Sequence, residues 1–252
     1  MPIVPSRSGR IQELLGRLAS GGPAERDSAV AGLTLLGVRV VEPLRAILPT
    51  ANQAARLAAL EVLDRIEDHA ALAPLLDLVR DEGEPVAQRA MEAVGGRPDP
   101  RAAKALARVL AGRGAPAIPA LQKALERLGP LGRGGGDASS LRARAAIHET
   151  LAALDSRVAL YDLRETIATC PRAVMPTLIR AAGRVGDGSL VPVLARAVAE
   201  DTALLDACAG ALAAIVAREK LRKTSAACKS VRPDDRGAFL LLWERAKAPR
   251  PR

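Results

Sequence analysis

Apolar residues along this chain recur at three- and four-residue steps, in stretches of only a few helical turns. Within Arg56–Ile66, Leu57, Leu60, Leu63 and Ile66 fall on one stripe. That is the spacing of an amphipathic helix, not the alternation of a strand. Val38–Leu48, His69–Val79 and Pro100–Leu110 follow one another at a fixed offset of 31 residues. Leu44, Leu75 and Leu106 share a column under that offset, and Pro43, Pro74 and Ala105 share the one before it. Ahead of these lies a second series. Arg56–Ile66 aligns with Ala87–Arg97 at the same offset, placing Ala59 on Ala90, Leu60 on Met91 and Leu63 on Val94, and Arg26–Leu36 joins if its turn is one residue shorter. Each unit therefore reads as helix, short turn, helix.

The turns carry matching punctuation. Gly37, Asp68, Asp99 and Asp187-Gly188 lie between the paired helices, where Asp caps a helix N-terminus and Gly ends the preceding helix. Pro43, Pro74 and Pro192 follow a few residues later. Proline costs about 3 kcal/mol deep inside a helix, so these are expected in first turns or at bends.

A unit this short cannot bury its apolar face alone and stacks on its neighbours. The expected fold is all-α, an α-solenoid of stacked antiparallel helix pairs with about 31 residues per repeat. The rhythm breaks between residues 112 and 171. Residues 1–128 are read as an N-terminal helical-repeat block, 129–137 as a glycine-rich linker loop, 138–233 as a C-terminal helical-repeat block, and 234–252 as a capping helix with a basic tail. Ser139 or Ser140 is expected to start a helix, and Arg236–Ala246, with Phe239 and Trp243, to close the stack.

The echoed segments, together with Arg184–Asp201 (RVGDGSLVPVLARAVAED), resemble HEAT-like repeats of the short bacterial kind also found in phycobilisome-related lyases. The resemblance spans roughly residues 23–128 and 172–217 and implies an armadillo-like scaffold whose second helices line a concave surface. Such repeats serve many purposes, so it says little of function.

Composition narrows the picture. Hydrophobic residues make up 49% of the chain but aromatics only 1%, namely Tyr161, Phe239 and Trp243. Small side chains suit thin layers of closely approaching helices. Cys170, Cys208 and Cys228 form no C-x-x-C pair and are odd in number, which argues against a disulfide framework or zinc site and for a reducing compartment. The sequence from Met1 to Arg7 lacks the apolar region of a secretory signal, and the longest nearly apolar stretch, Leu204–Ala217, contains Asp206. The expectation is a cytoplasmic protein with no membrane span.

The net charge of +9 is uneven. From Arg218 onward there are eleven Lys and Arg against four Asp and Glu, so most of the excess lies in the last 35 residues. Lys220, Arg222, Lys223, Lys229 and Arg232 form the densest patch. They are candidate phosphate contacts for salt-dependent nucleic-acid binding, without nearby surface aromatics for base stacking.

No Ser-His-Asp or Cys-His arrangement, metal-ligand spacing or cofactor motif stands out. Gly129–Asp137 lacks the Gly-Lys-Ser/Thr of a nucleotide loop. His148 and Glu149 are adjacent and point about 100° apart on a helix, which favours a packed or solvated histidine. The leading expectation is a non-catalytic scaffold binding a partner protein through Arg39, Arg45, Arg80, Arg101, Lys104 and Arg108. Its rivals are a nucleic-acid-associated protein using the basic C-terminal segment and a lyase-like or enzyme-accessory protein.

Overall fold

The computed structural model describes residues 7–129, 137–170 and 172–248. Every regular element among them is helical. Most of the expected linker (130–136) and the end of the expected tail (249–252) lie outside the described residues. The chain divides into two compact units, Met1–Arg97 and Pro98–Arg252. The boundary falls in the turn between Ala87–Arg97 and Pro100–Leu110, which the sequence offset pairs as the third repeat.

The first unit contains α1 (Arg7–Ser20), α2 (Pro23–Leu36), α3 (Val41–Ile47), α4 (Gln53–Arg65), α5 (Leu72–Val79) and α6 (Glu84–Gly95). Helices α2, α4 and α6 pack side by side in sequence order, with α5 against α4 and α6, and α1 against α2 and α4. The second unit contains α7 (Pro100–Leu110), α8 (Ala117–Arg127), α9 (Ala138–Ala153), α10 (Leu160–Thr169), α11 (Met175–Val185), α12 (Val191–Glu200), α13 (Leu205–Glu219), the single turn α14 (Ala226–Lys229) and α15 (Arg236–Lys247). Here α7, α9, α11, α13 and α15 form a row of successive neighbours, while α10 packs on α12 and α12 on α13 and α15.

Capping accounts for where these helices start. Asp68 accepts from Ala70 N–H (2.8 Å), Asp99 from Arg101 (2.8 Å), Asp187 from Ser189 (2.9 Å) and Asp201 from Ala203 (3.1 Å). The start of α9 is capped by Asp137, which accepts from both Ser139 and Ser140, rather than by either serine. Pro43, Pro74 and Pro192 all sit in the first turn of their α-helices, each behind a short 3₁₀ turn. Gly37 ends α2 at φ +61, a conformation glycine adopts without the penalty of a Cβ.

The packing uses the small residues that replace aromatics in the composition. A Cβ on Gly183 of α11 would lie 3.1 Å from the Cα of Ala211 in α13, so the two backbones approach closely. Phe239, Leu242 and Trp243 of α15 are buried against the same core, whereas Leu240 and Leu241 face outward.

A recurring arginine device ties successive helices together. Arg97 donates to the carbonyls of Leu63 and Ile66 at the end of α4, both at 2.8 Å. Arg184 of α11 donates to Ala153 O at the end of α9 (3.0 Å). Arg218 of α13 donates to Gly183 O (2.7 Å) and Arg184 O (2.6 Å) in α11. Helix C-termini leave carbonyls without intrahelical partners, and each is satisfied here by a guanidinium from 31 to 35 residues later.

Candidate functional site

In the second unit, α7, α9 and the start of α11 frame a surface groove of about 370 Å³. Its floor is alanine: Ala107 from α7 and Ala111 just past its end, with Ala145, Ala146 and Ala153 from α9. Thr150 stands in this floor with its hydroxyl turned inward, within donating distance of Ala146 O (2.9 Å) and Ala107 O (3.2 Å). The apolar floor is therefore edged by charge. Lys104 and Arg108 come from α7, and Arg142 and Glu149 from α9.

Two of the expected partner-binding residues thus line a real depression. Lys104 and Arg108 sit one turn apart on α7, and Arg101 lies exposed one turn earlier on the same helix without lining the groove. Arg142 was not anticipated; it lies on α9, outside the 31-residue echo. Among the described residues, the Lys104, Arg108 and Arg142 side chains make no ion pair or hydrogen bond. Glu149 is instead held by Arg180 of α11 (3.1 Å), which also donates to Thr177 (3.2 Å).

The remaining candidates are placed differently. In the first unit, Arg45 of α3 and Arg80 both reach Asp77 of α5, at 3.3 and 3.6 Å. Their charge is shared with a neighbouring carboxylate, while Arg39 is exposed on the 3₁₀ turn before α3. In the C-terminal patch, Lys223 pairs with Glu244 of α15 (3.3 Å). Lys220, Arg222, Lys229 and Arg232 are exposed and make no ion pair among the described residues. Lys220 ends α13 at φ +51.

A largely buried ionic cluster lies elsewhere, between α9 and α10. Arg144 and His148 are 1% and 3% exposed. Both meet Asp162: His148 Nε2 lies 2.8 Å from one carboxylate oxygen, and Arg144 donates to the other. Arg144 also donates to the carbonyl of Gly129, and Thr166 donates to Asp162 O at 2.7 Å. Burial pushes the Asp162 carboxyl up, but hydrogen bonding and charge from His148 and Arg144 outweigh it and hold the group below the usual carboxylate range. The partner of His148 is thus Asp162, fourteen residues on, and not Glu149. The cluster joins α9, α10 and the turn after α8, with Arg144 and His148 enclosed and Asp162 half-buried, so it reads as a fastening.

The thiols are similarly enclosed. Cys208 and Cys228 are buried, Cys170 is half-buried, and none is in a disulfide. Burial pushes the Cys208 thiol up to about 12 and the Cys170 thiol up to about 11. Among the described residues no cluster of three His, Cys, Asp or Glu is placed to hold a metal ion, and no helix is long and apolar enough to cross a membrane. Compared with protein-family models and with curated proteins, the chain matches none.

Proposed function

We propose that the protein is a non-catalytic scaffold built of HEAT-like helix pairs, and that it binds a partner protein along the face formed by α7, α9 and α11. The side-by-side rows in each unit support the stacked reading. So does the agreement between the 31-residue echo and the arginine contacts at offsets of 31 to 35 residues. The observation that carries the binding reading is the groove itself, an apolar floor bordered by three cations with no ion pair among the described residues. The buried titratable cluster is spent on fastening α9 to α10, which favours binding over catalysis.

A photo-crosslinking residue at Ala146, in the groove floor, tests this in the native cell. A discrete crosslinked protein is expected from Ala146 and not from Ala168, exposed on α10. The same products from both positions would overturn the groove as the binding face. Combined Arg101→Glu, Lys104→Glu and Arg108→Glu substitutions should remove the Ala146 product.

A second reading rests on the C-terminal patch. Lys220, Arg222, Lys229 and Arg232 are exposed without carboxylate partners among the described residues, which favours contact with a phosphate backbone. Phe239 and Trp243 are buried and offer no stacking surface, so the expected ligand is a duplex bound without base readout. Charge reversal at Lys220 and Arg222 should abolish duplex binding and its dependence on salt; unchanged binding would exclude the patch.

A further inference from the structure

We infer that the segment occupying the α7–α9–α11 groove is acidic and seats its carboxylates at the α7–α9 end. This rests on the reading of the groove as a partner-binding face and specifies what that face selects.

The argument is the distribution of charge along the row. Along the row from α9 to α15, three pairs join acids and bases of neighbouring segments. Arg180 of α11 holds Glu149 of α9 at 3.1 Å, Arg184 of α11 holds Asp155 at 3.0 Å, and Arg245 of α15 holds Asp206 of α13 at 2.6 Å. At the α7–α9 end the pattern stops. Lys104, Arg108 and Arg142 border the groove and Arg101 continues the run along α7, with no ion pair to any of the four among the described residues. The single acid lining the groove among the described residues, Glu149, is already engaged on its α11 side.

The floor adds no competing polar selection. Of the two hydroxyls that line it, Thr150 is directed to backbone carbonyls and Thr177 accepts from Arg180, and the alanines let an incoming backbone approach closely. Complementary charge at such a rim governs partner choice and association rate more than raw affinity. Screening over about 10 Å at 0.1 M salt makes the contact salt-sensitive. A basic or neutral segment would leave this positive end uncompensated.

The test uses the full chain and a fluorescent peptide of alternating Glu and Ala, read by anisotropy, beside a Lys-Ala peptide of equal length. Binding is expected for the Glu-Ala peptide only, weakening at least tenfold in Lys104→Gln/Arg108→Gln/Arg142→Gln and lost in Ala146→Trp, which fills the groove without changing charge. Circular dichroism and thermal melts establish that the variants fold. Three results overturn the inference: equal binding of the two peptides, no binding of the Glu-Ala peptide, or binding that survives the triple Gln variant. In those cases, crosslinking at Ala146 still decides separately whether the groove is a partner site. A DNA duplex that binds the wild type more tightly than the peptide, and is lost in the same variants, would also overturn it in favour of a nucleic acid.

Discussion

Arg218 of α13 donates to the carbonyl oxygen of Gly183 in α11 at 2.7 Å, joining the two helices that also meet closely at Gly183 and Ala211. The same guanidinium reaches Arg184 O and Gly186 O, while Arg157 donates to Val185 O and pairs with Glu219. The end of α11 thus has its exposed carbonyls satisfied from two directions. Hydrogen bonds from a charged donor contribute about 1.5–3 kcal/mol when buried, and less at a partly exposed site. Arg218→Met is expected to lower the unfolding free energy by about 1–2 kcal/mol in urea denaturation. Arg39→Met, at an exposed arginine with no such carbonyl, should have an effect close to zero. Equal effects would show that the carbonyl contacts do not hold the helices.

Gly183 and Gly16 give opposite expectations for the same substitution. Both lie inside helices, where replacing glycine by alanine normally stabilises by roughly 0.5–1 kcal/mol. A Cβ at Gly16 meets nothing within 4 Å, so Gly16→Ala should show that gain. At Gly183 the Cβ would press on the Ala211 backbone at 3.1 Å, and a backbone atom cannot swing aside as a side-chain tip can. Gly183→Ala is expected to lower the melting temperature while Gly16→Ala raises it. A gain at both positions would mean that α11 and α13 are not in the close contact described.

The helices, their Asp caps and the first-turn prolines were legible in the sequence because each depends on neighbours a few residues away. Asp68, Asp99 and Asp187 need only the next turn to act, and the Leu44, Leu75 and Leu106 column needs only its own helix. What joins the helices was not legible. Arg97, Arg184 and Arg218 look from sequence like ordinary cations at helix C-termini, where a favourable dipole interaction already explains them. Their carbonyl partners appear only once the neighbouring helix is in place. Asp162 sits on a helix beyond a turn from His148, so local spacing, which only argued against Glu149 as a partner, could not supply it. Lys104 and Arg108 were found through the echo, whereas Arg142 lies where the echo breaks and had no equivalent column.

Thiol reactivity checks the burial of the cysteines. A thiolate, not a thiol, attacks disulfide reagents, and burial raises Cys208 and Cys170 to about 12 and 11 while pushing Cys228 up as well. Native protein with an aromatic disulfide reagent at pH 8 should release far fewer than three equivalents of chromophore during the first minutes, with half-buried Cys170 reacting first. Denatured protein should release three at once. Prompt reaction of all three in the native state would contradict the packing of α13 and α14.

The Asp162 cluster predicts how the protein responds to acid. The Asp162 carboxyl is held below its ordinary value in the folded chain, whereas in the unfolded chain it titrates near the usual value of about 3.9. The unfolded state then takes up the proton first as pH falls, so the carboxylate's contribution is complete above about pH 4–5 and is lost as pH drops through the folded value. Asp162→Asn removes that contribution throughout. It also leaves the Arg144 guanidinium buried without a counter-charge, a change that costs about 3–5 kcal/mol in fully enclosed pairs; with 28% of the Asp162 side chain exposed, the lower end is expected. Melting temperatures between pH 7 and pH 3 should therefore fall more steeply for the wild type than for Asp162→Asn, with the two curves converging at the acid end. Parallel curves would mean that the Asp162 carboxylate does not fasten α10 to α9.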